Sequence, residues 1–351
     1  MSKFLKNRYQ SLEVYTPGEQ PRDKKYIKLN TNESPFPPSD GVIAAVNSQE
    51  VKDLRLYSDP TGLALKTALA ELHGVTADNI FLSNGSDDIL NFSFMAFTEK
   101  GAMFPEISYG FYSVFAELHG IDYITVPLKD DFSIDPADYN GNGKMVVIAN
   151  PNAPTGLCLS LQEIEKILKA NPDSVVVIDE AYVDFGGESC YPLTKEYKNL
   201  LVVQTFSKSR SMAGARLGFA IADKELIDDI ERIKYSTNPY NINRLTMAAG
   251  VAAVYDNDYY MENCKKIIQN REYTTRELET LGFYVIKSKA NFIFAKSDKI
   301  GGEEFYLKLK ENGILVRHFT KDKIKDFNRI TIGSREEMEA FVECTKKILE
   351  A

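Results

Sequence analysis

Histidine and cysteine are scarce in this chain, and basic residues do not outnumber acidic ones. The three histidines, His73, His119 and His318, are too few and too scattered to suggest a metal centre or a histidine-based triad. Cys158, Cys190, Cys264 and Cys344 are far apart without CxxC spacing, so they read as free thiols rather than a zinc site or disulfide framework. No apolar run reaches the roughly 18 residues of a membrane span, and Met1 to Gln10 is polar, without a signal core. No membrane association and a cytoplasmic location are therefore expected. With 42 Lys and Arg against 50 Asp and Glu, the formal charge is -8 and the pI about 5.2. That balance disfavours a nucleic-acid partner, because phosphate backbones attract clustered cations. Small-molecule chemistry is the expectation that remains.

What is present is an ordinary globular composition, 44% hydrophobic and 26% charged, in a chain of 351 residues, long enough for one large and one smaller domain. From about Gly62 to Asp223, helical and strand patterns alternate, which points to an α/β fold. Leu65, Leu69 and Leu72 mark a helix ending near His73, followed by the short strand NIFLS at 79–83. Further apolar runs lie at 123–127, 144–150, 174–179, 200–206 and 217–222, and they read as strands buried on both faces of a mostly parallel sheet. After about Asn243 the pattern becomes a long helical stretch, then strands at 283–287 and 291–296, then RITIG and an amphipathic closing helix. The division expected is an irregular N-terminal arm at 1–40, a large domain at 41–245 and a smaller α+β domain at 246–351.

Chemistry gathers at the ends of the buried strands. In TFSKSRSMAGARLGF, Lys208 has Thr205, Ser207 and Arg216 for company. Hydroxyls and a planar guanidinium around one amine suit a phosphate-bearing ligand held beside that amine. Asp179 closes the strand SVVVID, at the end of a parallel strand where open α/β sheets place ligands. A carboxylate there can keep an aromatic ring nitrogen protonated, with Tyr182 in reach of a ring oxygen; alone, Asp179 also reads as a helix cap. The rigid turn NPNAPTG at 150–156 offers Asn152 as a neutral partner for the same oxygen. SNGSDD passes from strand to helix, so the amides of Gly85, Ser86 and Asp87 form a ready anion site, unless Ser86 or Asp87 simply caps the helix. Tyr109 in PEISYGFY is the candidate aromatic for stacking on a flat ring, although an isolated tyrosine also suits core packing.

With these residues in place, the sequence resembles the fold-type I pyridoxal-phosphate aminotransferases, and among them the histidinol-phosphate aminotransferase family. The resemblance runs through nearly the whole chain, in KLNTNESPFPPS, LYSDPTG, NGSDD, PEISYGFY, NPNAPTG, VIDEAYVDF, TFSKSRSMAGARLGF, GILVRHF and RITIGSREEME. It implies a seven-stranded, mostly parallel sheet in the large domain. It implies pyridoxal 5'-phosphate on Lys208, with Asp179 at the ring nitrogen and Asn152 and Tyr182 at the phenolic oxygen. The phosphate is expected on Gly85, Ser86, Asp87, Thr205, Ser207 and Arg216, with Tyr57 reaching it from the other subunit of a homodimer. Tyr15, Asn32, Arg317 and Arg329 match substrate contacts, each arginine also suiting a surface ion pair. The family's Asn-Asn pair is Asn152-Ala153 here, and the contact to the ring oxygen is expected to survive that change. The implied reaction is transamination between histidinol phosphate and 2-oxoglutarate in histidine biosynthesis; an aromatic amino acid donor, or a lyase like the threonine-phosphate decarboxylases, is the alternative. Binding of the cofactor without catalysis, as a sensor, is disfavoured because no basic DNA-binding segment accompanies the set.

Overall fold

The computed structural model describes residues 5–6, 9–10, 12–13 and 15–350. Its strands, in chain order, are β1 (Ile27–Lys28), β2 (Ile80–Ser83), β3 (Ala102–Pro105), β4 (Tyr123–Val126), β5 (Met145–Ala149), β6 (Val176–Asp179), β7 (Leu200–Thr205) and β8 (Gly218–Ala222), then β9 (Phe283–Ile286), β10 (Phe292–Ser297), β11 (Ile314–Leu315), β12 (Arg317–His318) and β13 (Asn328–Thr331). Seven of them form one sheet in the order β2-β8-β7-β6-β5-β3-β4. All neighbours in it run parallel except β8, which is antiparallel to both β2 and β7.

The reason the central strands lack an alternating polar pattern is visible in their packing. Met145 and Val147 of β5, Val177 of β6 and Leu201 and Val203 of β7 join one core, with the helices Ser86–Phe97, Phe111–His119 and Lys224–Thr237. Their immediate neighbours Val146, Ile148, Val176, Ile178, Leu200 and Val202 join another, beneath the helix Leu161–Ala170. Successive side chains leave a strand on opposite faces, so a sheet covered on both sides demands apolar residues at every position.

Two readings of the strands need correction. β3 was not picked out as a strand: AMFP is only four residues long and ends in proline, too short for a pattern to register. β4 was expected to be buried on both faces, but it is the edge strand, and Tyr123, Ile124 and Thr125 are exposed.

A second, four-stranded antiparallel sheet has the order β12-β13-β10-β9. It packs with the long helix Asn257–Thr280 and the closing helix Arg335–Glu350, whose Met338, Phe341, Val342, Thr345 and Ile348 are buried. Phe294 and Phe327, stacked 4.6 Å apart, instead join the core under the large sheet and so fasten the two sheets together. The N-terminal segment adds β1, which pairs in parallel with β11.

Close backbone approach fixes the strand-to-helix corner at Gly85. A Cβ on Gly218 of β8 would lie 2.5 Å from the amide nitrogen of Ser86 and 2.6 Å from the carbonyl carbon of Gly85. Both are backbone atoms and cannot rotate away. Gly218→Ala is therefore expected to cost about 1–3 kcal/mol through overpacking, read as a lower thermal or urea midpoint, and to displace the start of the Ser86–Phe97 helix. Unchanged stability would show that the corner can yield.

Candidate active site

Three adjacent strands deliver the chemistry. Ala149 of β5 pairs with Asp179 of β6, and Asp179 with Val203 of β7, so β5 and β6 end at one level while β7 runs two residues further to Thr205. At that end of the sheet the chain walls a cavity of about 180 Å³ lined by Asp179, Tyr182, Thr205, Ser207, Lys208 and Arg216. Ser86, Asp87 and Tyr109 close it from the helix side. Nine of the expected residues thus meet in one place.

Lys208 Nζ donates to the Thr31 carbonyl at 3.3 Å and lies 5.8 Å from the Tyr182 ring centroid. Burial, reinforced by the nearby Arg329 cation, lowers its pKa from 10.5 to about 8. A buried amine near neutrality is a competent nucleophile and base. Asp179 is held on two sides: Tyr112 Oη donates to Oδ2 at 2.9 Å and the Ala181 amide to Oδ1 at 3.2 Å. Burial raises its pKa to about 6, with these hydrogen bonds opposing. A cation in the cavity would draw it back to the charged form. Tyr112, whose phenol fixes this carboxylate, was missed in the sequence; its only signal was an inward position on the Phe111–His119 helix.

The anion end is built from a helix start and a guanidinium. Gly85, at φ +89°, precedes the Ser86–Phe97 helix, and no side chain caps its first turn. The plain-cap reading of Ser86 and Asp87 therefore gives way to exposed amides at a positive helix end. Arg216 pairs with Asp87 at 2.9 Å, and its Nη1 donates to Ser207 Oγ at 3.4 Å. Tyr109 Oη donates to the other Asp87 oxygen at 2.7 Å, so the Tyr109 ring faces the cavity while Tyr112 lies wholly in the core. Thr205 Oγ1 accepts from the Ser207 amide at 3.1 Å.

Asn152 departs from its expected place. It is buried, and its amide nitrogen donates to the Ile107 carbonyl at 3.0 Å and to Thr155 Oγ1 at 3.2 Å, while its oxygen accepts from Ser108 Oγ at 2.8 Å. Ala153 lines the cavity instead. Consecutive residues in a tight turn point in different directions, and the sequence alone did not say which one faced inward.

Asn32, Arg329 and Tyr15 lie beside this cavity rather than in its wall. Asn32 donates to Tyr182 Oη at 3.0 Å and accepts from Thr331 Oγ1 at 3.0 Å. Arg329 is within Coulombic reach of Lys208 and Tyr182; its Nη2 donates to the Asn30 carbonyl and its buried Nε has no hydrogen-bond partner among the described residues. Tyr15 stacks on Phe111 at 4.2 Å and lies 6.3 Å from Tyr109. Arg317 donates to the carbonyls of Thr16 and Pro17, not to a carboxylate. Tyr57 is far from being enclosed: it is 80% exposed and stacked on Tyr240 at 4.5 Å. Among the described residues, no helix is long and apolar enough to cross a membrane.

Residues 24–344 match the family described as aminotransferase class I and II. The chain belongs to that family. It is 53% identical over 352 residues to the histidinol-phosphate aminotransferase of Brachyspira hyodysenteriae, covering 99% of each chain. Its fold is similar to the crystal structure of the histidinol-phosphate aminotransferase from Clostridium acetobutylicum, at TM-score 0.85 and 25% identity, covering 92% of this chain and 99% of that one. The histidinol-phosphate aminotransferase of Sinorhizobium meliloti, solved in complex with pyridoxal-5'-phosphate, gives TM-score 0.89 at 24% identity, covering 100% and 98%. Among the residues that line the cavity, Lys208 is the one that carries an amine.

The lowered Lys208 pKa has a measurable sign. A group titrating near 8 is about 90% neutral at pH 9, where an ordinary lysine at 10.5 is about 3% neutral. Competitive acetylation of the cofactor-free protein, read by mass spectrometry, should show Lys208 reactivity half-risen near pH 8 and levelling off above about pH 9. A rise continuing to pH 10 would contradict this environment.

Proposed function

We propose that the protein is a histidinol-phosphate aminotransferase that uses pyridoxal 5'-phosphate and acts in histidine biosynthesis, in the cytoplasm. The observation that carries this reading is the buried Lys208 amine sharing one cavity with the Asp179 carboxylate and the Arg216 guanidinium. Near-complete coverage of a relative of that name at 53% identity supports the substrate.

The donor set fits the cofactor. The uncapped amides at Ser86 and Asp87, the hydroxyls of Thr205 and Ser207 and the Arg216 cation suit its phosphate. Asp179, fixed by Tyr112 and the Ala181 amide, suits a protonated ring nitrogen. Tyr109 offers a ring to stack against and Tyr182 a phenol for the phenolic oxygen. When bound, pyridoxal 5'-phosphate supplies an aldehyde for amine exchange and a ring that delocalises the electron pair left by proton removal.

The protein's own groups then have separate tasks. Lys208 Nζ would hold the cofactor's aldehyde carbon and, once free, would be the base that moves a proton from the substrate carbon. Asp179 holds positive charge on the ring and thereby keeps the electron pair delocalised. Arg329, whose buried Nε has no partner among the described residues, and Arg317, within Coulombic reach of it, offer cationic ends for the phosphate of an amino alcohol that has no α-carboxylate. Tyr15 on Phe111 gives a flat face for an aromatic ring. The keto acid that restores the amine-free cofactor would be 2-oxoglutarate.

The active unit in this reading is a homodimer in which Tyr57 completes the phosphate site of the other subunit. Its exposure on this chain, 80%, supports that assignment. The division into a 1–40 arm, a 41–245 large domain and a 246–351 small domain belongs to the same proposal.

Adding histidinol phosphate to the purified yellow protein, without keto acid, should bleach its visible band and raise a pyridoxamine-like band, and 2-oxoglutarate should reverse the change. Indifference to histidinol phosphate with a response to phenylalanine would assign an aromatic donor, and carbon dioxide release from threonine phosphate would assign a lyase. Lys208→Ala should lower turnover by about four orders of magnitude or more while the protein still folds. Light scattering should give twice 39.5 kDa, and Tyr57→Phe should weaken cofactor retention about tenfold, the value of one hydrogen bond to a charged group. A monomer, or unchanged retention, would remove Tyr57 from the site.

A further inference from the structure

The NPNAPTG turn carries two adjacent side chains with opposite destinations. Ala153, 5% exposed, lines the cavity and packs with Ala290, Phe292 and Tyr182. Of that group only Tyr182 has a hydrogen-bond donor, and its oxygen already accepts from Asn32 Nδ2, which leaves its own proton free to be given to a ligand. Asn152 is 2% exposed and already committed: both amide protons have acceptors, in Ile107 O and Thr155 Oγ1, and its oxygen receives Ser108 Oγ. Ile107 and Ser108 are the two residues immediately before Tyr109, the aromatic wall of the cavity.

We infer that Asn152 is a positioning residue, which clamps the 107–108 backbone and so sets the Tyr109 ring, and that Tyr182 alone among these side chains serves the phenolic oxygen of the cofactor. The inference rests on the pyridoxal-phosphate reading above. It divides tasks within the turn: residue 152 shapes the cavity wall from behind, and residue 153 contributes only apolar surface. Fewer donors on a phenolate leave more negative charge on it, and that charge retains a neighbouring iminium proton to higher pH. Tyr182 therefore controls the titration of the bound chromophore, and Asn152 does not.

The test is a pH titration of the visible absorbance of the pyridoxal-phosphate-loaded protein, together with cofactor affinity measured by fluorescence on the cofactor-free protein. Tyr182→Phe is expected to raise the titration midpoint by about one pH unit, which is roughly the value of one charge-assisted hydrogen bond. Asn152→Ser is expected to leave the midpoint within about 0.3 unit and to weaken cofactor affinity about tenfold, by loosening the Tyr109 wall. Ala153→Asn, which puts an amide where the methyl group faces the cavity, should lower the midpoint. An upward shift in Asn152→Ser as large as that in Tyr182→Phe would overturn the inference, as would an unmoved midpoint in Tyr182→Phe. So would an Asn152→Ser protein with unaltered affinity. A wild-type protein that cannot be loaded and stays colourless would fail the cofactor reading instead, so the two failures are distinguishable.

Discussion

Lateral register between parallel strands is the constraint on which the site depends. Because Ala149, Asp179 and Val203 are hydrogen-bonded neighbours across β5, β6 and β7, the segments that follow them emerge side by side. The register is fixed in turn by complete burial: a slip of one residue would exchange the contents of the two cores on either side of the sheet. The position of a carboxylate relative to a lysine from the next strand is thereby decided by the packing of valines and isoleucines well inside the protein. Geometry at the rim starts from that packing and is then trimmed by the hydrogen bonds on Asp179, Asp87 and Ser207.

Charge in the cavity is arranged to be rebalanced by a ligand. Lys208 is held among Arg329, Arg216, Asp87 and Glu33, with burial the strongest influence on it. Asp87 bridges Arg216 and Tyr109, so the guanidinium and the aromatic wall share a single carboxylate anchor. An arriving phosphate would meet a cation already oriented, and little side-chain freedom would be lost on binding. Asp179 is the counterpart at the other end, pushed toward neutrality by burial, and a positive group beside it would restore its charge.

Much of this was legible in the sequence, and for reasons of physics. Long β-branched runs gave away β5, β6 and β7, and the residues at their ends carry side chains whose chemistry is rare in combination. Lys208, Asp179, Tyr182, Thr205, Ser207 and Arg216 meet because strand ends are few and sequence proximity to them is informative. What stayed hidden was orientation. AMFP was too short to read, β4 has the same composition whether central or at an edge, and LGFAIA does not reveal that β8 runs backwards. Asn152 and Ala153 differ by one position, and Tyr109 and Tyr112 by three. Which member of each pair faces the cavity depends on local turn geometry and on the hydrogen bond that Tyr112, from the Phe111–His119 helix, gives to Asp179.

The reversal of β8 has a consequence for how this chain can vary. Since β8 is antiparallel to β7, Thr205 pairs with Gly218, and the 206–217 segment starts and finishes at the same rim. Lys208 and Arg216 both lie on this short return, which is tied at its middle by the Met212 amide to Phe206 and the Ala215 amide to Met212. Most surface connections absorb insertions because their extra length bulges into solvent. Here an added residue between Lys208 and Met212 would shift the amine relative to the guanidinium, so the return can absorb length only at its exposed stretch around Gly214.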